Sequence, residues 1–175
     1  DPSAYKITFA PGLLTVPESL RGGLVVAGPR AGSKTEELTI PEGLGPDITG
    51  LSTKVTFVES LPPFAPMALA GGGSFIKWRE AIETTDTVIL RLEEGAPAAV
   101  RNAQMIYIAG WPDAASWRRI LEMLAEQARL DLMDLPPDLR LRETDSHRFW
   151  FNYGPRSVTF HGMTLPAAGV LWESK

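Results

Sequence analysis

The chain has 175 residues, of which 44% are hydrophobic and 22% charged, a composition that suits one globular domain with a small appendage. Its net charge of −4 argues against a nucleic-acid footprint, and the absence of cysteine removes disulfides, thiolate metal sites and cysteine nucleophiles. No apolar run reaches the roughly 18–20 residues of a membrane span and no secretory leader opens the chain, so a cytoplasmic domain is expected.

YKITFAP (5–11) is a β-branched and aromatic run closed by Pro-Gly, which reads as a strand. GLVVAGP (23–29) is nearly continuous apolar sequence, the pattern of a parallel strand buried on both faces. A parallel pair needs a crossover, normally a helix of a dozen residues or more. Only Pro11 to Gly22 are available, and PESLR (17–21) starts and ends like a helix whose middle is missing. The expectation is a deletion or an unresolved segment near Leu20–Arg21. From Ala31 to Gly50 the residues are those of loops.

TKVTFVESL (53–61) alternates like a strand, and a Pro/Gly-rich connector (61–74) comes next. SFIKWREAI (74–82), TVILRLEE (87–94), AAVRN (98–102) and QMIYIAG (104–110) read as successive strands, the last two joined by a hairpin around Asn102-Ala103. Asp113 is a good N-cap for a helix over 113–130. Trp117, Ile120, Leu121, Leu124 and Ala128 form its apolar stripe, expected to face a core rather than a cofactor or partner.

DLPPDL (134–139) marks a domain boundary, giving domains at 1–133 and 134–175. Beyond it, LRLRET (139–144), RFWFNY (148–153), RSVTFHG (156–162) and AGVLWE (168–173) read as four short strands of a small antiparallel unit.

Four features carry candidate chemistry. GPRAGSKT (28–35) comes directly after a buried strand and matches a phosphate-binding loop except at Ser33, where a glycine belongs. The segment EELTIPEGLGP after it is loop-like rather than helical, and Pro29 lacks an N–H, so a structural loop is preferred over nucleotide binding. AGGGS (70–74) precedes a strand, not a helix, and reads as a connector. Glu80, Glu83, Glu93 and Glu94 are read as surface carboxylates on strand ends, with no glycosidase-like opposition. Ser, His and Asp in TDSHR (144–148) are local neighbours in a turn, which is not a triad. No catalytic, cofactor or metal residue is assigned.

RFWFNYGP (148–155) places Phe149 and Phe151 on one face of a strand and Trp150 and Asn152 on the other. Two Phe suit a core. Trp150 then packs in that core or at an interdomain seam, or serves as a carbohydrate-stacking platform.

YKITFAPGLLTV, GGLVVAGPRAGSKT, VESLPPFAPMALAGGGSF with WRE, YIAGWPDAASW and RFWFNYGP with LPAAGVLWE, in that order, resemble the C-terminal third of glycoside hydrolase family 42 β-galactosidases. The resemblance runs from Tyr5 to Glu173. It implies an α/β, flavodoxin-like (glutamine-amidotransferase-like) trimerisation domain, incomplete here, followed by a small antiparallel β-domain. Amidotransferase chemistry is excluded by the lack of cysteine. The family's catalytic barrel needs about 250 residues, so its acid/base and nucleophile glutamates would lie outside this chain. The implied partners are further copies in a trimer, the barrel of the same polypeptide and the parent's galactoside substrate, with neither nucleic acid nor membrane. The chain would begin inside the α/β domain at Asp1. A stand-alone carbohydrate-binding module using Trp150, or nucleotide binding through 28–35, are the alternatives.

Overall fold

A computed structural model describes residues 4–20, 23–35, 37–41 and 44–175. The chain divides into two compact units, Asp1–Leu130 and Asp131–Lys175. It is mostly β-sheet, with a single α-helix among the described residues.

The first unit is organised by a buried mixed sheet. β1 (Ile7–Ala10) and β2 (Leu24–Ala27) pair in parallel, Ile7 opposite Leu24. β2 is buried at all four positions, as its unbroken apolar sequence requires. The described part of the link between them holds one 3-10 turn, Glu18–Leu20. The expected break near Leu20–Arg21 falls on Arg21 and Gly22, outside the described residues. β6 (Thr87–Arg91), β7 (Pro97–Asn102) and β8 (Met105–Ile108) complete the sheet in the order β1-β2-β8-β7-β6. β8 runs parallel to β2 and antiparallel to β7. The expected hairpin is present, with Asn102 opposite Met105 and Ala103 turned to φ 46°.

A second, antiparallel sheet holds β3 (Thr53–Ser60), the short β4 (Met67–Ala68), the long β5 (Ser74–Thr84) and β9 (Gly110–Pro112). α1 (Ala114–Ala128) comes directly after β9. Asp113 caps it, Oδ1 accepting the Ser116 N–H at 2.7 Å, and Arg129 ends it in the left-handed region at φ 52°.

Alternation of side chains across the buried sheet creates two apolar clusters. Leu24, Val26, Ile106 and Ile108 meet Ile120 and Leu124 of α1. Val25, Ala27 and Tyr107 point the other way, onto Val55 of β3 and Ile82 of β5. Each fully buried Val, Leu or Ile contributes about 1.5–3 kcal/mol. The helix stripe is therefore core at Ile120 and Leu124, with Trp117 partly buried, but Leu121 is 39% exposed. Ser116, absent from the expected stripe, is buried and takes that place.

The second unit contains five strands rather than four. β10 (Leu139–Glu143), β11 (His147–Asn152) and β14 (Val170–Ser174) form one antiparallel sheet, and β12 (Val158–Phe160) with β13 (Met163–Leu165) a separate hairpin. β13 is the added strand, a three-residue MTL too short to register as a run.

Candidate functional site

The loop that imitates a phosphate cradle is closed to phosphate by its own hydrogen bonds. No helix begins at Lys34. The Arg30 N–H donates to Glu80 Oε1 at 2.9 Å. The N–H groups of Ala31, Gly32, Ser33, Lys34 and Thr35 donate to the carbonyls of Gly28, Leu13, Arg30, Leu14 and Thr39. A cradle needs those donors free and a helix N-terminus behind them. Gly32 is required for a different reason: at φ 65°, a Cβ there would sit 2.8 Å from the Asp47 carbonyl oxygen. The nucleotide-binding alternative has no site in this geometry.

Glu80 corrects an expectation. It is 4% exposed, not a surface carboxylate, whereas Glu83, Glu93 and Glu94 are exposed. Its Oε1 accepts from the Arg30 N–H and from Trp78 Nε1 at 3.1 Å, and its Oε2 accepts from the Tyr107 hydroxyl. The Arg30 guanidinium carbon lies 5.6 Å from the centre of the Trp78 ring. Burial first, and then the neighbouring Glu80, push the Tyr107 hydroxyl well above its ordinary ionisation range. The signal was present in the sequence: Glu80 shares the period-2 face of β5 with Ile82. With three donors on one carboxyl and no second carboxyl in contact, the cluster pins the 28–33 loop to the sheet rather than presenting an acid/base pair.

A cavity of about 230 Å³ is lined by Gly23, Val25, Thr49, Gly50, Asn102, Ala103, Gln104 and Met105, none of them titratable. Among the described residues no three His, Asp or Glu side chains converge as metal ligands, and no helix is long and apolar enough to cross a membrane.

In the second unit Trp150 lies in the core, one of the places expected for it, whereas the face of Phe149 and Phe151, expected to be the core face, is the more open one. Trp150 and Asn152 are buried, and Phe149 and Phe151 are only partly so. Trp150, 3% exposed, packs with Leu139 and Leu165, its ring centre 5.7 Å from that of Phe160. A stacking platform needs an open ring face, which Trp150 lacks. Asn152 Nδ2 donates to the carbonyls of Arg156 and Pro166, both at 2.8 Å, and its Oδ1 accepts from the Gly154 N–H at 2.9 Å. That full satisfaction is what permits a buried amide. Ser146 Oγ lies 2.7 Å from His147 Nδ1 in the β10–β11 turn, while the His147 ring is flanked by Phe149 and Trp172. No carboxylate orients that imidazole among the described contacts.

No family model matches the chain. Among curated proteins it is 41% identical to a β-galactosidase from Thermus thermophilus over 141 residues, covering 78% of this chain and 22% of the relative. It is 39% identical to a β-galactosidase from a Thermus species over 165 residues, covering 88% of this chain and 26% of the relative. The β-galactosidase structure from Marinomonas ef1 superposes with a TM-score of 0.86 at 30% identity, over 98% of this chain and 29% of that one. A GH42 β-galactosidase from G. stearothermophilus shares the fold alone, with a TM-score of 0.74 at 18% identity, over 99% of this chain and 32% of that one. The chain thus spans less than a third of the curated relatives it matches. It is related to glycoside hydrolase family 42 β-galactosidases over a region consistent with their C-terminal part.

Proposed function

We propose that this chain is the non-catalytic C-terminal accessory and oligomerisation region of a cytoplasmic β-galactosidase. Residues 1–133 would be its flavodoxin-like trimerisation domain and 134–175 its terminal β-domain. The parent would hydrolyse terminal β-galactosides with retention, through two glutamates in a barrel outside these 175 residues. The observation that carries this reading is the asymmetry of the matches: they cover 78–88% of this chain but 22–26% of the curated relatives. The chemistry of the described residues agrees with it. The interior carboxyl of Glu80 is engaged by three donors that tie it to the loop after β2 and to the main sheet.

The test is a turnover assay of the purified chain on a chromogenic β-galactoside. The reading expects no hydrolysis above the uncatalysed rate. Turnover that survives purification to homogeneity would overturn it.

A further inference from the structure

The β10–β11–β14 sheet has two unlike faces. Leu139, Trp150 and Leu171 turn toward the β12–β13 hairpin. The opposite face is built of two rungs fixed by strand register: Arg142, Phe149 and Trp172 in one, Arg140, Phe151 and Val170 in the next. Trp172 is 61% and Tyr153 71% exposed, and Val170 is the only aliphatic residue in either rung. The Phe149 and Phe151 rings lie 6.5 Å apart at 25°, and Phe151 and Tyr153 6.2 Å apart at 19°. The result is a row of rings along β11 with Trp172 beside it.

Positive charge predominates on this face, with Arg140 and Arg142 against Asp138. Neither rung contains a carboxylate. Glu143 and Glu173 occupy the alternate positions and are neutralised there, Glu143 by Arg148 at 2.5 Å and Lys175 at 3.1 Å, Glu173 by Arg148 at 3.6 Å. Asp138, beside Tyr153, is the nearest acid by register, and His147 adds an imidazole at the other end. Arg140 Nη1 is turned to the carbonyls of Pro137 and Leu139, whereas Arg142 has no hydrogen bond or ion pair among the described residues. In a chain of net charge −4, the Arg142 guanidinium is thus left without a protein partner among the described residues, beside the exposed ring of Trp172.

We propose that this face binds an acidic polysaccharide. Rings present apolar surface to the C–H faces of pyranoses, and an arginine fork matches a carboxylate in a bidentate pair. A few polar groups on a largely apolar surface are also the usual makeup of a ligand site. Nucleic acid fits less well, because the chain lacks the broad basic field it requires.

The test is affinity electrophoresis of the 175-residue chain in gels containing polygalacturonate, with neutral galactan and dextran sulfate as comparators. Polygalacturonate should retard the chain, and Trp172→Ala and Arg142→Gln should each weaken the apparent Kd on the order of tenfold. Lys54→Gln, an exposed cation outside the face, should leave it unchanged. All three side chains are exposed, so melting temperature checks that folding is intact. No retardation, or equal retardation by dextran sulfate indifferent to Trp172→Ala, would overturn the proposal. So would a Trp172→Ala change in solution mass, which would mean that protein covers the face. A failure to bind polysaccharide leaves the accessory-region reading untouched, since that reading is tested by the turnover assay and by the solution mass of the unaltered chain.

Discussion

The Tyr107 hydroxyl donates to Glu80 Oε2 at a point where the two residues are 0% and 4% exposed. Tyr107 belongs to the middle of the main sheet and Glu80 to β5 of the second one. The bond therefore stitches the two sheets, and through the Arg30 N–H it also fixes the loop after β2.

Tyr107→Phe should destabilise the first unit by about 1–3 kcal/mol, because it leaves one Glu80 oxygen without its donor in the interior. Denaturant unfolding of the variant against the parent chain measures this. The same contact predicts the alkaline behaviour. A hydroxyl whose folded pKa is raised above its unfolded value of 10.0 adds stability that is complete below that pH and lost as pH rises past it. In an ultraviolet titration read against the Tyr107→Phe variant, the Tyr107 phenol should ionise only together with unfolding. Ionisation of Tyr107 while the chain is still folded would contradict the buried pair.

Asp113→Ala should cost about 1 kcal/mol through loss of the helix cap. Burial alone would raise the Asp113 carboxyl, but hydrogen bonds from Ser116 and Ser74 outweigh it and hold the group below its ordinary 3.8. A depressed folded pKa stabilises above the unfolded value and ceases to do so as pH falls through the folded one. The difference between Asp113→Ala and parent chain should accordingly shrink below about pH 4. Melting temperatures across that range show whether it does.

Gly110→Ala tests how tightly β9 seats on β5. A Cβ at this position would lie 2.2 Å from Cδ2 of Phe75, which is 1% exposed and has nowhere to move. Overpacking of this kind should destabilise by about 1–3 kcal/mol, which denaturant unfolding of the variant against the parent chain measures.

Trp150→Ala should destabilise the second unit by about 3 kcal/mol, a severe loss for a sheet and hairpin built around three fully buried side chains. Its indole N–H has no hydrogen-bond partner, so Trp150→Phe should cost distinctly less. Equal losses for the two variants would mean that the indole makes a contact beyond packing.

Much of this fold could be read from the residues themselves, and the failures have identifiable causes. The four-residue apolar run of β2, the Asp113 cap and the Asn102-Ala103 turn are local signals, and each sits where propensity places it. Alternation, in contrast, sorts a strand into two sets without saying which set faces inward. That ambiguity placed Phe149 and Phe151 on the core face of β11, and it hid Glu80 among apparent surface acids. Leu121 and Ser116 exchanged roles because Gly73 admits the Ser116 side chain close against it, a tertiary fit that helical spacing cannot report.

The central claim is that these residues form an assembly region rather than a self-sufficient module. The most direct measurement is molar mass in solution by light scattering coupled to size exclusion, against the 19.1 kDa of the monomer. The account predicts a mass about three times that value, as expected of a ring of identical subunits. A monomer across the accessible concentration range would contradict it.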